Sequence, residues 1–212
     1  MKNRVAIIGA GELGLQIIEL LLESDKYEMF GFYDDSLPKN TNVVYDFKVL
    51  GNTNEILIDY HQDLFDYLIV AIGYNHMQKR SELFELFSKE ISFATLIHSS
   101  CVVNRSASIE QGAIIYPGCI LDKNVHIGQN VLLNLGVIIS HDSVIEDHCF
   151  IAPGVKIAGF SSIEKACFVG IGAIVIDNIK INKNLIIGAG AVVVNDLIEL
   201  GKYGGNPAKK LK

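Results

Sequence analysis

From Cys101 to Asp196 the chain repeats an apolar place every six residues, without insertion, through sixteen consecutive hexads. The third place of each hexad is Ile, Leu or Val, in an unbroken series that runs Val103, Ile109, Ile115, Leu121, Ile127 and on to Val193. The first place is small or aliphatic, and the last is mostly Gly, Asn or Asp, which tolerate φ > 0 at a corner. A short β-branched run closed by a corner cannot bury its own apolar side. Stacked on copies of itself it makes one continuous core and pairs every strand edge except those at the ends, so the period predicts a solenoid. A sandwich of short strands is the competing architecture, but its strands vary in length and are spaced more loosely.

Ahead of the repeat the pattern changes. Val5 to Ile8 form a buried-strand run, Gly9-Ala10-Gly11-Glu12-Leu13-Gly14 follows, and LQIIELLLES then has helical apolar spacing. A second strand, YEMFGFYDD, ends at Asp34-Asp35. Further on come a strand around FKVLG ending at Gly51, a helix over about residues 53–60, the strand FDYLIVAIG, a helix over about 76–89, and the strand SFATLIH. This alternation predicts a small parallel α/β domain over residues 1–98, with the solenoid and a tail over 99–212. The joint at LIHSS is short, which favours two packed parts over a swinging linker.

The glycine turn has strand, turn, helix context, so its backbone suits a phosphate: glycines permit close approach, and the helix start offers free N–H groups. Asp34-Asp35 lies about twenty residues further on, where a carboxylate commonly meets a ribose or a base; the alternative is a solvated strand end. A dehydrogenase reading is weakened on two counts. The α/β part is about half a full dinucleotide fold, and a solenoid follows it instead of a domain with hydride-transfer residues. A nucleoside-diphosphate ligand fits the half-size domain better.

Composition narrows the classes further. The net charge of −6 and a pI near 5.5 argue against nucleic acid or an anionic membrane as partner. No apolar stretch is long enough to span a bilayer, and a cytoplasmic protein is expected. Cys101, Cys119, Cys149 and Cys167 all take the inward first place of a hexad, which makes them packing thiols and leaves none placed for an acyl-enzyme. His126, His141 and His148 lack zinc-site spacing, so no metal is expected. His141 and Asp142 differ from these in standing at the fifth and sixth places of their hexad, on the turn side. An imidazole there is either a solvated corner or a base near neutral pH with a carboxylate to orient it.

Taken together, several stretches resemble the bacterial family of sialic-acid O-acetyltransferases and nucleotide-4-amino-sugar N-acetyltransferases, which carry a Rossmann-like domain before a left-handed β-helix of hexapeptide repeats. They are the glycine turn, the strand ending Asp34-Asp35, Ala71-Ile72-Gly73-Tyr74-Asn75, Leu96-Ile97-His98, the segment Asn134 to Gly159, and Gly205-Asn206-Pro207-Ala208-Lys209. The resemblance implies a homotrimer with acetyl-CoA in grooves between solenoids and a nucleotide-sugar substrate on the α/β domain. It implies His141 as general base, Asp142 as the acidic residue that raises its basicity, and Gly159 as an oxyanion donor. Ile171 and Ala189 fall on acetyl-CoA contacts, and Gly11, Glu12, Leu13, Asp34, Asp35 and Gly51 on nucleotide-sugar contacts. Two departures stand out. Phe150 occupies a place where some relatives have a coenzyme-contacting histidine, and Gln78 one where an arginine is common, with Lys79 and Arg80 following. The activity implied is acetyl transfer to the amine of a nucleotide-linked 4-amino-4,6-dideoxy sugar in surface-glycan synthesis. Sugar O-acetylation is the alternative.

Overall fold

The computed structural model describes residues 2–211 and divides after Leu96 into two compact units. In the first, a sheet is ordered β3-β4-β2-β1-β5 from the strands β1 (Asn3–Ile8), β2 (Tyr27–Tyr33), β3 (Asn42–Val44), β4 (Phe47–Gly51) and β5 (Tyr67–Val70). All neighbours are parallel except β3 and β4. Helices α1 (Glu12–Leu22), α2 (Ile56–His61) and α3 (Met77–Phe87) connect the strands. Ile17, Ile18 and Leu21 bury the apolar stripe of α1, while α3 buries Leu83, Phe84 and Phe87 beside Phe65, Leu68 and Phe93.

The boundaries differ from the sequence reading where side chains compete for backbone. β2 stops at Tyr33 because the Asp34 carboxylate takes the N–H groups of Ser36 and Leu37, at 2.8 and 3.2 Å, and turns the chain. The expected helix over 53–60 begins as a 3₁₀ turn, Thr53–Glu55, under a reciprocal Asn52/Glu55 cap, before α2 proper. SFATLIH is not one strand: Phe93 makes a single bridge to Leu68, and regular pairing resumes only at Leu96–Ile97. The hairpin strand β3 went unread.

The second unit is a three-faced parallel β-helix. Its first face stacks Val102–Val103, Ile120–Leu121, Ile138–Ile139, Lys156–Ile157, Ile174–Val175 and Val192–Val193. The second face runs from Ser108–Ile109 to Lys180–Ile181, and the third from Ile114–Ile115 to Ile186–Ile187, continued by Lys202–Gly204 and Lys209–Lys210. Pairing such as Ile120 with Ile138 sets one coil at 18 residues, three hexads. The third-place residues from Ile115 to Val193 are buried and form the core with the first-place residues.

The sixth place takes left-handed φ, as the run of Gly, Asn and Asp predicts: Asn124, Asp142 and Asn178 lie at 58°, 58° and 57°. His148, Phe160 and Ala166 adopt the same geometry at 62°, 57° and 56°, without the local relief that Asn or Gly has there. Such a residue costs roughly 1–2 kcal/mol. The four cysteines are free thiols whose Sγ atoms lie 3.1–3.2 Å from carbonyl oxygens fifteen residues on, as with Cys119 and Asn134. Buried Ser143 and Ser161 occupy the same first place and donate to Ala158 and Ile176 carbonyls at 3.0 and 2.9 Å.

Candidate active site

One corner of the β-helix gathers the chemistry. His141 stands in the turn that follows its first-face strand, Ile138–Ile139, and the next residue, Asp142, is at the left-handed place where the chain passes onto the second face. The imidazole Nδ1 lies 3.0 Å from Asp142 Oδ2. A carboxylate only accepts, so Nδ1 carries the proton of that bond and Nε2 is left as the acceptor. Asn124, one coil earlier, donates Nδ2 to Asp142 Oδ1 at 2.8 Å, so both carboxylate oxygens are engaged. Asn124, and after it His141, hold the Asp142 carboxyl below the usual carboxylate range, and it stays ionised well into acid.

One coil later the imidazole rests on Gly159. A β-carbon there would lie 2.7 Å from Cε1 and 2.9 Å from Nε2, so the ring occupies the space that any side chain would fill. Among the described residues the Gly159 N–H has no hydrogen-bond acceptor, while its carbonyl takes the Asn178 N–H at 3.0 Å. Phe160 meets the imidazole edge to face, with ring centroids 5.0 Å apart at 86°. The His141 side chain is 45% exposed, so one edge stays open to a substrate. Asn124 and Phe160 were missed in the sequence, although both stand 18 residues from Asp142.

Ile171 and Ala189 stack on each other at a different corner, between the third and first faces, and both are exposed. One chain therefore does not bring them onto the His141 corner. Phe150 takes the second, outward place on the third face but is buried, beside Phe168 with ring centroids 5.9 Å apart. His148 is buried against Asn130, with Nδ1 3.1 Å from Asn130 Nδ2.

In the first unit, the candidate residues converge at the C-terminal ends of β1, β2 and β4. Gly11 caps α1 without a side-chain bond, and Gly14 admits no β-carbon because the Gly9 carbonyl stands in its place. Asp34 Oδ2 accepts the Ala10 N–H at 2.9 Å, its own N–H reaches Gly51 O at 3.0 Å, and Asp35 takes the Thr53 N–H at 2.8 Å. Both acids thus brace the turn with bonds to backbone. A pocket of about 200 Å³ opens there, lined by Gly9, Asp34, Asp35, Thr53, His76 and Lys79 among others. Of the residues around the missing arginine, Lys79 faces this pocket, Gln78 bonds to Glu82, and Arg80 is buried with a bond to Val70 O at 3.0 Å. Glu12 and Leu13 begin α1 outside the lining.

Residues 4–86 match the PglD N-terminal domain, and 124–159 match the bacterial transferase hexapeptide, six repeats. No curated protein sequence matches the chain. Among solved structures, the acetyltransferase domain of PglB from Neisseria gonorrhoeae is 28% identical, with a TM-score of 0.89 over 99% of this chain and 100% of that one. PerB from Caulobacter crescentus, in complex with CoA and GDP-perosamine, is 28% identical, with a TM-score of 0.88 over 98% and 97%. WeeI from Acinetobacter baumannii is 26% identical, with a TM-score of 0.82 over 98% and 99%. A Rossmann-like domain, a hexapeptide β-helix and a corner imidazole define an acyltransferase of the hexapeptide-repeat class. More particularly, the PglD N-terminal domain and the full-length likeness to PglB and PerB fit the family expected from the sequence, that of sialic-acid O-acetyltransferases and nucleotide-4-amino-sugar N-acetyltransferases. Among the described residues no cluster of His, Cys, Asp or Glu is arranged to hold a metal ion, and no helix is long and apolar enough to cross a membrane.

Proposed function

We propose that the protein transfers acetyl from acetyl-CoA to the amine of a nucleotide-linked 4-amino-4,6-dideoxy sugar. The observation that carries the reading is the His141 imidazole, tied at Nδ1 to an ionised carboxylate and seated on a glycine with an unpaired N–H. PerB, with GDP-perosamine and CoA bound, supports the acceptor and donor classes. His141 Nε2 takes a proton as the acceptor amine attacks the thioester carbonyl. The Gly159 N–H stabilises the oxyanion of the tetrahedral intermediate. Collapse expels the CoA thiolate, which receives the proton from His141, so the products are the N-acetylated sugar and free CoA. The nucleotide lies at the glycine turn of the first unit, with Gly11, Glu12 and Leu13 offering backbone, Asp34 and Asp35 shaping the wall, and Gly51 holding Asp34 through its carbonyl. The enzyme works in the cytoplasm, where acetyl-CoA and nucleotide sugars are made.

Ile171 and Ala189 contact the coenzyme from a neighbouring copy in a homotrimer. The first face supports this arrangement. Its outward places are Val102, Ile120, Ile138, Lys156, Ile174 and Val192, with Val102, Ile120 and Ile174 at 62%, 39% and 41% exposure. The second face presents Ser108, His126, Val144, Ser162 and Lys180. The more apolar face lies between the two corners, so covering it with another copy sets one copy's His141 beside another's Ile171.

Purified protein with acetyl-CoA and a panel of nucleotide 4-amino sugars, with sialic acid as comparison, tests this by thiol release. Acceptor-dependent CoA release, lost in His141→Ala, is expected. Release with sialic acid alone, or full activity in H141A, contradicts it.

A further inference from the structure

We propose that Phe160 is a positioning residue that holds the His141 ring in register with Gly159 and walls the acceptor side of that corner, a role that rests on the reading of His141 as general base. Three observations converge on this side chain. It takes the left-handed sixth place, at φ 57°, where the residues stacked in line with it are Asn124, Asp142 and Asn178. An aromatic has no local reason to be there. It is 58% exposed, so core burial does not hold it either. What it does touch is the imidazole, 5.0 Å away and nearly perpendicular.

The contact completes an enclosure. Asp142 fixes the Nδ1 side of the ring, Gly159 accepts the Cε1 and Nε2 edge, and Phe160 blocks rotation away from both. Its exposed surface also displaces water from around the imidazole, which favours the acceptor amine as the proton source. An acceptor that presents a C–H face beside its amine, as a deoxy sugar does, suits this wall better than one presenting a hydroxyl.

The test is Phe160→Asn, with Phe160→Tyr as rescue. Asn is the residue at the same place in the following coil, Asn178, so the variant adopts the backbone freely and its Tm stays level or rises. In the protein without substrates, removal of the aromatic neighbour moves the NMR resonance of the His141 Cε1–H, and F160Y restores it. In thiol-release kinetics F160N lowers kcat/KM for the acceptor by about tenfold or more, leaves KM for acetyl-CoA unchanged, and F160Y recovers the loss. An unmoved His141 resonance in F160N overturns the proposal whatever the kinetics, and so does undiminished kcat/KM. A resonance that moves in F160N, where the wild-type protein acetylates no acceptor, leaves the positioning role standing and removes the general-base reading instead.

Discussion

Gly159→Ala separates the placement of the imidazole from every other property of the corner. The added β-carbon lies 2.7 Å from Cε1, 2.9 Å from Nε2 and 3.2 Å from Nδ1 of His141. Ordinary carbon contacts fall at about 3.5–4.0 Å. The ring must therefore retreat by about 1 Å, more than the 3.0 Å bond to Asp142 absorbs while remaining a good hydrogen bond. A misplacement of that size costs on the order of 10² in rate, equivalent to about 2.7 kcal/mol of barrier. Alanine keeps the backbone N–H, so the proposed oxyanion donor survives. Gly159 also lies outside the left-handed region, so the backbone accepts the change. The ring is already half exposed, so little packing is lost when it is displaced, and Tm falls by less than about 3 °C. Acceptor-dependent thiol release and thermal melts of wild type, G159A and H141A make the comparison. G159A working within a factor of about three of wild type would refute the reasoning, because the expected loss is some hundredfold.

Asp142→Asn lowers kcat by about 10⁴. Asn124 donates to the Oδ1 position, so the amide oxygen turns to it and the amide NH₂ faces Nδ1, which moves the ring proton onto Nε2; the His141 NMR tautomer pattern and kcat report this together. Asp66 is held below the usual carboxylate range by its bonds to Arg4, so its contribution to stability is present above about pH 3.9 and is lost as pH falls through its lower folded value. The Tm difference between wild type and Asp66→Asn is accordingly level from neutral pH to about 5 and closes in stronger acid. Ile151→Ala, at a fully buried third place, lowers unfolding stability by about 2–5 kcal/mol, read by denaturant titration followed by circular dichroism.

The solenoid was legible because its signal is global: one inward place every six residues specifies a pairing that no single substitution disguises. The α/β elements were legible in type and less so at their ends, where Asp34 and the Asn52/Glu55 cap settle boundaries by side-chain bonds that periodicity does not encode. Asp34 shows the same limit at the level of role. Its position after β2 suggests a ligand contact, and position cannot reveal that Ala10, Ser36 and Leu37 already donate to that carboxylate. Phe160 passed unnoticed because its neighbours in the chain give no hint of the imidazole, which is reached only across the coil.

That information was nonetheless present as arithmetic. With 18 residues per coil, 141 and 159 fall on one corner, as do 124, 142, 160 and 178, so the imidazole, its carboxylate, the glycine and the aromatic meet by stacking alone. Residues 171 and 189 share a corner by the same rule, but 171 follows 159 by 12 and so falls at the far edge of the first face. No rearrangement within a rigid coil closes that offset, because each strand is pinned above and below by paired neighbours. If the two sets of residues serve one reaction, the second must come from another molecule seated on the apolar first face. Charging that face tests the point: Ile120→Glu together with Ile174→Glu leaves the coil core untouched, since both side chains point outward. The double variant is expected to sediment as a folded monomer without acetyl transfer, and a monomer that retains wild-type activity would show that one chain suffices.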